Sequence, residues 1–383
     1  MVNEINKIYF KLLNEVLNSN DIVKNYNFNT PFFSKYPSII IFLVYALKKD
    51  KDNIEIYDKL ILNIKLMIYE INKIKKINSS LCYGIISVGY SLNFAKDYLN
   101  DNKLLKDLNY LILKITYLKL QKCKLNLKKS QICESDYDLI QGISSNLVYL
   151  LKYNFKGNDV IIRDISNYFN KILQKINKKY IFKNNNINWY VSHGIISVIY
   201  ANALCAKNKI NYKTNKLQFI KIMRYIRMNK CNDIENISWC YGELSFNFLL
   251  YKCIEIYDLK NYKNVICNKI QKIICNEKLF NLDSPTFCHG YAGILNIINN
   301  LKIKDKNLIK IKKHCINKIL SYYNLNYPLC FKNYDKILID QKYSKDKYLI
   351  DDIGILSGSI GVVLSLMDCV HEKEINWSEM FLI

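Results

Sequence analysis

Long apolar runs alternate along the chain with segments that are apolar on one side only. The run GIISVIYANAL from Gly194 is apolar at nearly every position, which is typical of a helix buried on all sides. In the segment before it, Ile161, Ile165 and Phe169 follow one another at steps of four, with polar residues on the opposite face. This spacing predicts a helix with one solvated face. The pattern therefore predicts two kinds of helix in alternation.

Six glycine motifs divide the sequence into repeats. Each motif is a glycine, two residues and a small residue at the start of an apolar run: GIIS at 84, GISS at 142, GIIS at 194, GELS at 242, GYAG at 290 and GSIG at 358. The stretch YPSIIIFLVYAL from Tyr36 resembles a degenerate first copy. Successive motifs lie 48 to 68 residues apart, which fits two helices and two turns. We interpret the glycines as positions where neighbouring helix backbones approach closely.

The repeats predict an all-α protein with about seven inner and seven outer helices. Such an alternation forms either an open solenoid or a closed ring, and we favour the α/α toroid, a double ring of helices. Residues 1–383 are expected to form a single domain, because no proline-rich or glycine-rich linker interrupts the pattern. The predicted repeats begin near residues 36, 84, 142, 194, 242, 290 and 358.

The charge and the cysteine content narrow the class of protein. The net charge is +23, but the lysines are scattered along the whole chain, so we expect no nucleic-acid partner. No apolar run reaches the roughly 18 to 20 residues of a membrane span, and the N-terminus lacks the apolar core of a signal peptide. Thirteen irregularly spaced cysteines indicate free thiols in a reducing compartment, so we expect a cytoplasmic protein.

The residues directly before the glycines carry the candidate chemistry. These positions are equivalent between repeats, and they include Cys240 in WCYG and Cys288 and His289 in FCHG. Two thiols and an imidazole suit Zn²⁺ and leave one tetrahedral position open. The alternative is two buried cysteines and a histidine that caps a helix. Cys82 lies in a second CYG trio, LCYG, and we expect it to be a core residue because the neighbouring repeats offer no second ligand there.

Several of these motifs carry a family resemblance. WCYG, CHGYAG, the SHG before an apolar run, DLIQGIS and the closing GILSGSIGVVLSL and WSEMFLI resemble the lanthionine synthetase C-like family, from about Tyr36 to the C-terminus. The resemblance implies an α/α toroid with one zinc ion. It also implies a lanthipeptide cyclase, which adds a peptide cysteine thiol to dehydroalanine or dehydrobutyrine and so forms (methyl)lanthionine thioether rings.

The resemblance implies a role for individual residues and for partners. Cys240, Cys288 and His289 would bind the metal, His193 would be the acid/base near the enolate, and Asp138 would assist it. Tyr241 would hydrogen-bond the developing oxyanion. The implied partners are a dehydrated precursor peptide, a dehydratase and an export transporter, through which the chain would lie at the membrane periphery. We expect a monomer.

One position departs from the family pattern. The family has an arginine four residues before the cysteine of WCYG, whereas this chain has Asn236. The loss of a cation there would weaken the stabilisation of an enolate or of a bound carboxylate. Two alternatives stay open. The first, which Asn236 motivates, is a zinc-containing toroidal binding or scaffold protein with weak or lost activity. The second, which does not depend on Asn236, is an enzyme of the prenyltransferase kind, another zinc-containing α/α toroid that activates a peptide thiol. The metal set of the latter is Asp-Cys-His, which matches these residues less well.

Overall fold

The computed structural model contains fifteen helices and one two-stranded sheet in the part of the chain that it describes. That part comprises residues 1–19, 35–75, 77–99, 102–153, 155, 157–178, 182–183, 187–228, 237–303, 305–339 and 342–383. The elements are α1 (Val2–Asn18), α2 (Tyr36–Lys49), α3 (Ile54–Asn72), α4 (Ile85–Phe94), α5 (Lys103–Lys128), α6 (Glu134–Tyr137), α7 (Ile143–Lys152), α8 (Asn158–Gln174), α9 (Ile195–Lys207), α10 (Tyr212–Met228), α11 (Glu243–Tyr257), α12 (Lys260–Cys275), α13 (Tyr291–Asn300), α14 (Lys306–Ser321), β1 (Asn333–Ile339), β2 (Lys342–Ile350) and α15 (Ser359–Val370). Short 3₁₀ turns span Lys96–Tyr98, Glu277–Phe280 and Trp377–Phe381.

A helix begins within one residue of every predicted repeat start. These helices are α2, α4, α7, α9, α11, α13 and α15, and they are buried over most of their surface. In α13, for example, all eight residues from Tyr291 to Ile298 are buried. The helices between them bury one stripe, as α12 does with Ile266, Ile270 and Ile273. The alternation of fully buried and one-sided helices agrees with the two hydrophobic patterns of the sequence.

Each repeat glycine lies against the turn that precedes its own helix. A Cβ on Gly194 would overlap the carbonyl oxygen of Tyr190, and a Cβ on Gly242 would overlap that of Ser238. The interpretation that these glycines bring neighbouring helices together is therefore wrong at these two positions. The small residue three places on has a separate task, since the Ser197 hydroxyl donates to the Gly194 carbonyl at 2.8 Å. Glycine and serine together close a tight turn into the helix.

The chain divides into two compact units. One unit contains residues 1–76, 91–100 and 276–378, and the other contains residues 77–90, 101–275 and 379–383. In the first unit, Trp377 is fully buried and donates its indole N–H to Asp368 at 2.9 Å. In the second unit, Trp239 is buried and donates its indole N–H to the Phe381 carbonyl at 3.0 Å. The single domain expected from the sequence stays a prediction.

Two elements were not foreseen in the sequence. Helix α1 precedes the first repeat and packs its buried face, which includes Ile8 and Leu12, against α2, α3 and α15. Strands β1 and β2 form an antiparallel hairpin between α14 and α15. The hairpin occupies the longest interval between motifs, the 68 residues from Gly290 to Gly358. Among the described residues, no helix is both long and apolar enough to span a bilayer.

Candidate metal centre and its neighbours

The three predicted ligands lie close together in the structure. The Sγ atoms of Cys240 and Cys288 and one imidazole nitrogen of His289 are all within 4.8 Å of one another. Cys240 is buried, whereas Cys288 and His289 are partly exposed. Thiolate and imidazole donors at such mutual distances form a set that suits Zn²⁺.

Backbone hydrogen bonds connect the turns that carry the candidate residues. The Leu81 N–H donates to the Ile140 carbonyl at 3.0 Å, the Ile140 N–H to the Ser192 carbonyl at 3.3 Å, and the Ser192 N–H to the Cys240 carbonyl at 3.3 Å. The Ser192 hydroxyl adds a second bond to the Cys240 carbonyl at 3.1 Å. Positions just before successive glycines are therefore neighbours in space, as the equivalence of the repeats predicts.

Further contacts fix the turn that contains Cys240. The preceding Trp239 is buried, and its ring meets Phe381 edge to face at 5.5 Å between ring centroids. The Ser238 hydroxyl lies 3.6 Å from the Cys240 sulfur and also accepts from the Tyr241 N–H at 3.4 Å. In the segment WCYG, the candidate ligand Cys240 thus directly follows a large buried side chain, that of Trp239. The Trp239 ring contact and its indole hydrogen bond connect the segment to Phe381, near the C-terminus.

His193 and Asp138 form a hydrogen-bonded pair. The Nδ1 atom of His193 lies 2.7 Å from Oδ2 of Asp138, and the Asp138 side chain is buried. The other carboxylate oxygen accepts the backbone N–H groups of Gln141 at 2.7 Å and Gly142 at 2.5 Å. Two backbone N–H groups of its own turn therefore hold the Asp138 carboxylate in place. It can accept a hydrogen bond from Nδ1–H of His193, which leaves Nε2 to exchange protons.

Burial and charge act on the pKa of His193 in opposite directions. Burial lowers the pKa, but the hydrogen bond and the negative charge of Asp138 raise it more, with smaller contributions from Glu134 and Cys240. The net effect is a pKa above the ordinary value for histidine. The protonated form of His193 is thus favoured, which suits a group that donates a proton.

Tyr241 lies beside the His193 imidazole. Its ring centroid is 6.2 Å from that of His193 and 5.1 Å from that of Tyr190, which it meets edge to face. Tyr241 is 42% exposed. Of the predicted catalytic residues, the structure therefore groups Asp138, His193 and Tyr241 in one neighbourhood.

An acidic residue absent from the sequence prediction lies near His289. Oδ2 of Asp335, in β1, is 3.5 Å from Nε2 of His289. That nitrogen is buried, and among the described residues no group makes a hydrogen bond to it. The contact is close enough for an ion pair and too long for a good hydrogen bond. No sequence signal marks Asp335, because it belongs to the unforeseen hairpin.

The family of the chain follows from a match over most of its length. A model of the family described as lanthionine synthetase C-like protein matches residues 36–382. The chain belongs to this family. The nisin biosynthesis protein NisC of Lactococcus lactis subsp. lactis is 25% identical to it, over 78% of each chain. A solved structure of nisin cyclase superposes with a TM-score of 0.72 at 20% identity, covering 99% of this chain and 96% of the other.

Membership of the lanthionine synthetase C-like family agrees with the fold expected from the sequence. The likeness to nisin cyclase confirms the all-α prediction and the α/α toroid. The structure brings together Cys240, Cys288 and His289, and it places Cys82 in the core. Asn236, the departure from the family pattern, lies outside the described residues.

Proposed function

We propose that this member of the lanthionine synthetase C-like family is a zinc-dependent lanthipeptide cyclase. The reaction adds a cysteine thiol of a dehydrated precursor peptide to the β-carbon of a dehydroalanine or dehydrobutyrine in the same peptide. A carbon–sulfur bond forms, the thiol proton leaves, and the α-carbon gains a proton. The product is a lanthionine or methyllanthionine ring, and no other reactant is consumed. The match to the family model and the similarity to NisC, a nisin biosynthesis protein, support this class of enzyme.

The observation that carries the proposal is the cluster of two thiols and an imidazole. Cys240, Cys288 and His289 would hold the zinc, since their donor atoms lie within 4.8 Å of one another and are of the types that Zn²⁺ prefers. A bound zinc would supply a positive charge that lowers the pKa of an incoming peptide thiol and favours its thiolate. Because the chain supplies three donors here, a zinc held by them could also bind the sulfur of the peptide.

His193 and Asp138 would manage the proton that the α-carbon receives. Attack of sulfur on the β-carbon places negative charge on the α-carbon and its carbonyl oxygen, and this charge is removed by protonation. Asp138 holds Nδ1 of His193 at 2.7 Å and raises the pKa of the imidazole, so protonated His193 can donate from Nε2. The Tyr241 hydroxyl, beside this imidazole, would stabilise the carbonyl oxygen while it carries charge.

A peptide with one dehydroalanine and one cysteine tests the proposal. Cyclisation leaves the mass of the peptide unchanged, so the free thiol is counted after alkylation with iodoacetamide by mass spectrometry. We expect the fraction of peptide that can be alkylated to fall much faster with the zinc-loaded protein than in buffer alone. We expect His193→Ala to retain zinc and to lose most of this acceleration, by about 100-fold or more. Persistence of the thiol with the zinc-loaded wild-type protein would contradict the proposal for that peptide.

Asn236 favours a second candidate, a zinc-containing binding protein of the same family that has weak or lost activity. Such a protein would bind the dehydrated peptide without closing rings. The variant Asn236→Arg distinguishes the two candidates, because turnover that appears only in this variant would identify a binding protein. Equal turnover with and without the arginine would favour the cyclase. A monomeric state and partnership with a dehydratase and an exporter stay predictions.

A further inference from the structure

The β1–β2 hairpin is fastened to the segment that leads to Cys288 and His289. Asn333, the first residue of β1, is buried and accepts a hydrogen bond from the Ser284 hydroxyl at 3.0 Å. From β2, the Lys347 ammonium pairs with the Asp283 carboxylate. Two consecutive residues before the CHG motif therefore contact the two strands of the hairpin. These contacts connect both strands to the segment that leads to Cys288 and His289.

Asp335 is two residues beyond the Asn333 anchor, on the same strand. Its carboxylate lies 3.5 Å from Nε2 of His289, and the two side chains are partly buried at 41% and 26% exposure. In the described part of the chain, the buried Nε2 has no hydrogen-bond partner. A buried imidazole nitrogen without a partner has lost its hydration and gained no hydrogen bond in return. A shift of about 0.7 Å would bring the carboxylate to the ~2.8 Å of a charge-assisted hydrogen bond.

The chemistry of the pair determines which imidazole nitrogen carries the proton. A carboxylate only accepts hydrogen bonds, so Nε2 of His289 must be the donor when it bonds Asp335. A neutral imidazole has one N–H and one lone pair, so the lone pair then lies on Nδ1. A metal ligand needs that lone pair. The position of Asp335 therefore favours Nδ1 as the nitrogen that would bind the metal together with the two thiols.

We propose that Asp335 is a positioning residue for the metal centre. Its carboxylate accepts a hydrogen bond from Nε2–H of His289, selects the tautomer with a free lone pair on Nδ1, and holds the ring in the orientation that binds the metal. This inference rests on the metal site of the proposed function and adds the hairpin to it. Carboxylate partners of this kind orient histidine ligands in many zinc sites and increase their basicity.

Zinc affinity of the protein alone, without peptide, tests the inference. The zinc dissociation constant is measured by competition with a chromophoric chelator for the wild type, Asp335→Asn and Asp335→Ala. We expect about one zinc per chain throughout, with binding about 10- to 100-fold weaker in Asp335→Ala and a smaller loss in Asp335→Asn. The matched control is Asp351→Asn, which removes a carboxylate next to β2 that pairs with Lys332 at 3.3 Å. We expect this control to bind zinc as the wild type does.

A second measurement does not depend on any variant. Nitrogen-15 NMR of the histidine-labelled, zinc-loaded wild type reports the state of each ring nitrogen, and four histidines make the assignment tractable. We expect His289 to show a protonated Nε2 and a metal-bound Nδ1. Zinc on Nε2, or equal zinc affinity of Asp335→Ala and the wild type, would overturn the inference. A wild type that takes up no zinc would overturn this inference and the metal site together, whereas zinc uptake without cyclisation would contradict only the proposed reaction.

Discussion

The two copies of the CYG trio show how the surroundings of a residue determine its chemistry. Cys82 and Cys240 are both buried cysteines two residues before a repeat glycine. Burial raises the pKa of the Cys82 thiol far above its ordinary value, and the charge of Asp138 acts in the same direction, so this thiol stays neutral. Cys240 instead lies within 4.8 Å of a second sulfur and an imidazole nitrogen. One local sequence therefore gives an inert core residue and a candidate ligand.

The pKa of His193 is predicted to depend on the charge of Asp138. In Asp138→Asn the side chain keeps an oxygen that accepts backbone N–H groups but loses its charge, so burial of the imidazole becomes the dominant effect. We expect the pKa of His193 to fall, and with it the fraction of protonated imidazole near neutral pH. NMR titration of the His193 ring protons in the metal-free protein measures this change.

Glu134→Gln is the matched control for this titration. Glu134 also raises the pKa of His193, but by less than Asp138 does. We therefore expect a downward shift of the pKa that is smaller than in Asp138→Asn. If Asp138→Asn leaves the pKa unchanged, the raised value has another origin and Asp138 is not the partner that favours the protonated form.

Some of the site could be predicted from the sequence, and some could not. The interval of 48 residues between Cys240 and Cys288 equals one repeat, so equivalent positions in adjacent repeats were expected to meet. Asp335 has no counterpart in the repeat pattern, and its closeness to His289 depends on how a hairpin lies on the protein. Tertiary contacts made by an irregular insertion leave no periodic signal.

At the scale of elements, the glycine turns determine where the buried helices begin. The glycine is the N-cap of α7, α9, α11, α13 and α15, and no side-chain cap is present at these five helices. In α9 and α11 a serine inside the helix instead donates to the carbonyl of the capping glycine, at 2.8 Å in each case. The motif of a glycine, two residues and a small residue thus allows a helix to begin directly after a tight turn.

Gly194→Ala tests this role away from the candidate ligands. A Cβ at this position would overlap backbone atoms of Tyr190, which cannot move aside as a flexible side chain does. We expect a loss of about 3 kcal/mol or more in the free energy of unfolding. Denaturation in urea, followed by circular dichroism, measures it.

Gly157→Ala is the comparison for Gly194→Ala. Gly157 is the N-cap of α8 with φ of 94°, and in the described part of the chain a Cβ there would meet only Leu113, at 3.8 Å. The cost is then the left-handed backbone alone, about 1 kcal/mol. Equal losses in the two variants would show that the turn before Gly194 relaxes readily and that steric overlap is not the reason for glycine.

The elements differ in how well the sequence predicts them. The buried helices were predictable because each has a glycine, a small residue and an apolar run in fixed order. Helix α1 precedes any motif, although its buried residues Ile5, Ile8 and Leu12 follow helical spacing. The hairpin was missed because its polar and apolar residues fit no repeat, and two-stranded pieces are stable only when they pack on other elements.

At the scale of the molecule, the fold is retained at low sequence identity. The chain shares 20% of its residues with a nisin cyclase structure and still superposes at a TM-score of 0.72. Apolar periodicity and turn chemistry can be kept while most individual residues change. The net charge of +23 is compatible with this architecture, because lysines lie on the solvated faces of one-sided helices such as α5 and α12.

Asp368 links the stability of the fold to pH. This residue is 8% exposed, and burial raises its pKa to about 6, although Lys373 and the Trp377 hydrogen bond oppose the shift. Above pH 6 the folded protein must keep a buried carboxylate ionised, whereas the unfolded chain ionises it freely from about pH 4. Between these values the folded state binds the proton more tightly. The contribution of Asp368 to stability therefore decreases as the pH rises from about 4 to 6.

The variant Asp368→Asn removes this charge and keeps an oxygen that can accept the indole N–H of Trp377. We expect the variant to gain stability relative to the wild type as the pH rises through this range, by about 2 to 3 kcal/mol at neutral pH compared with pH 4. Unfolding in urea at several pH values measures the difference in unfolding free energy between the variant and the wild type. The contributions of other titrating groups cancel in this difference. A difference that is the same at pH 4 and pH 7 would contradict the raised pKa.

The central claim is tested most directly by the zinc content of the purified protein. Inductively coupled plasma mass spectrometry measures this content. The claim is that Cys240, Cys288 and His289 together hold one metal ion. We predict about one zinc per chain in the wild type, almost none in Cys240→Ala, and the wild-type content in Cys82→Ala, because Cys82 occupies the equivalent position of its own repeat but belongs to no such cluster among the described residues. A wild type without zinc after purification in its presence, or a Cys240→Ala variant that retains the full content, would contradict the account.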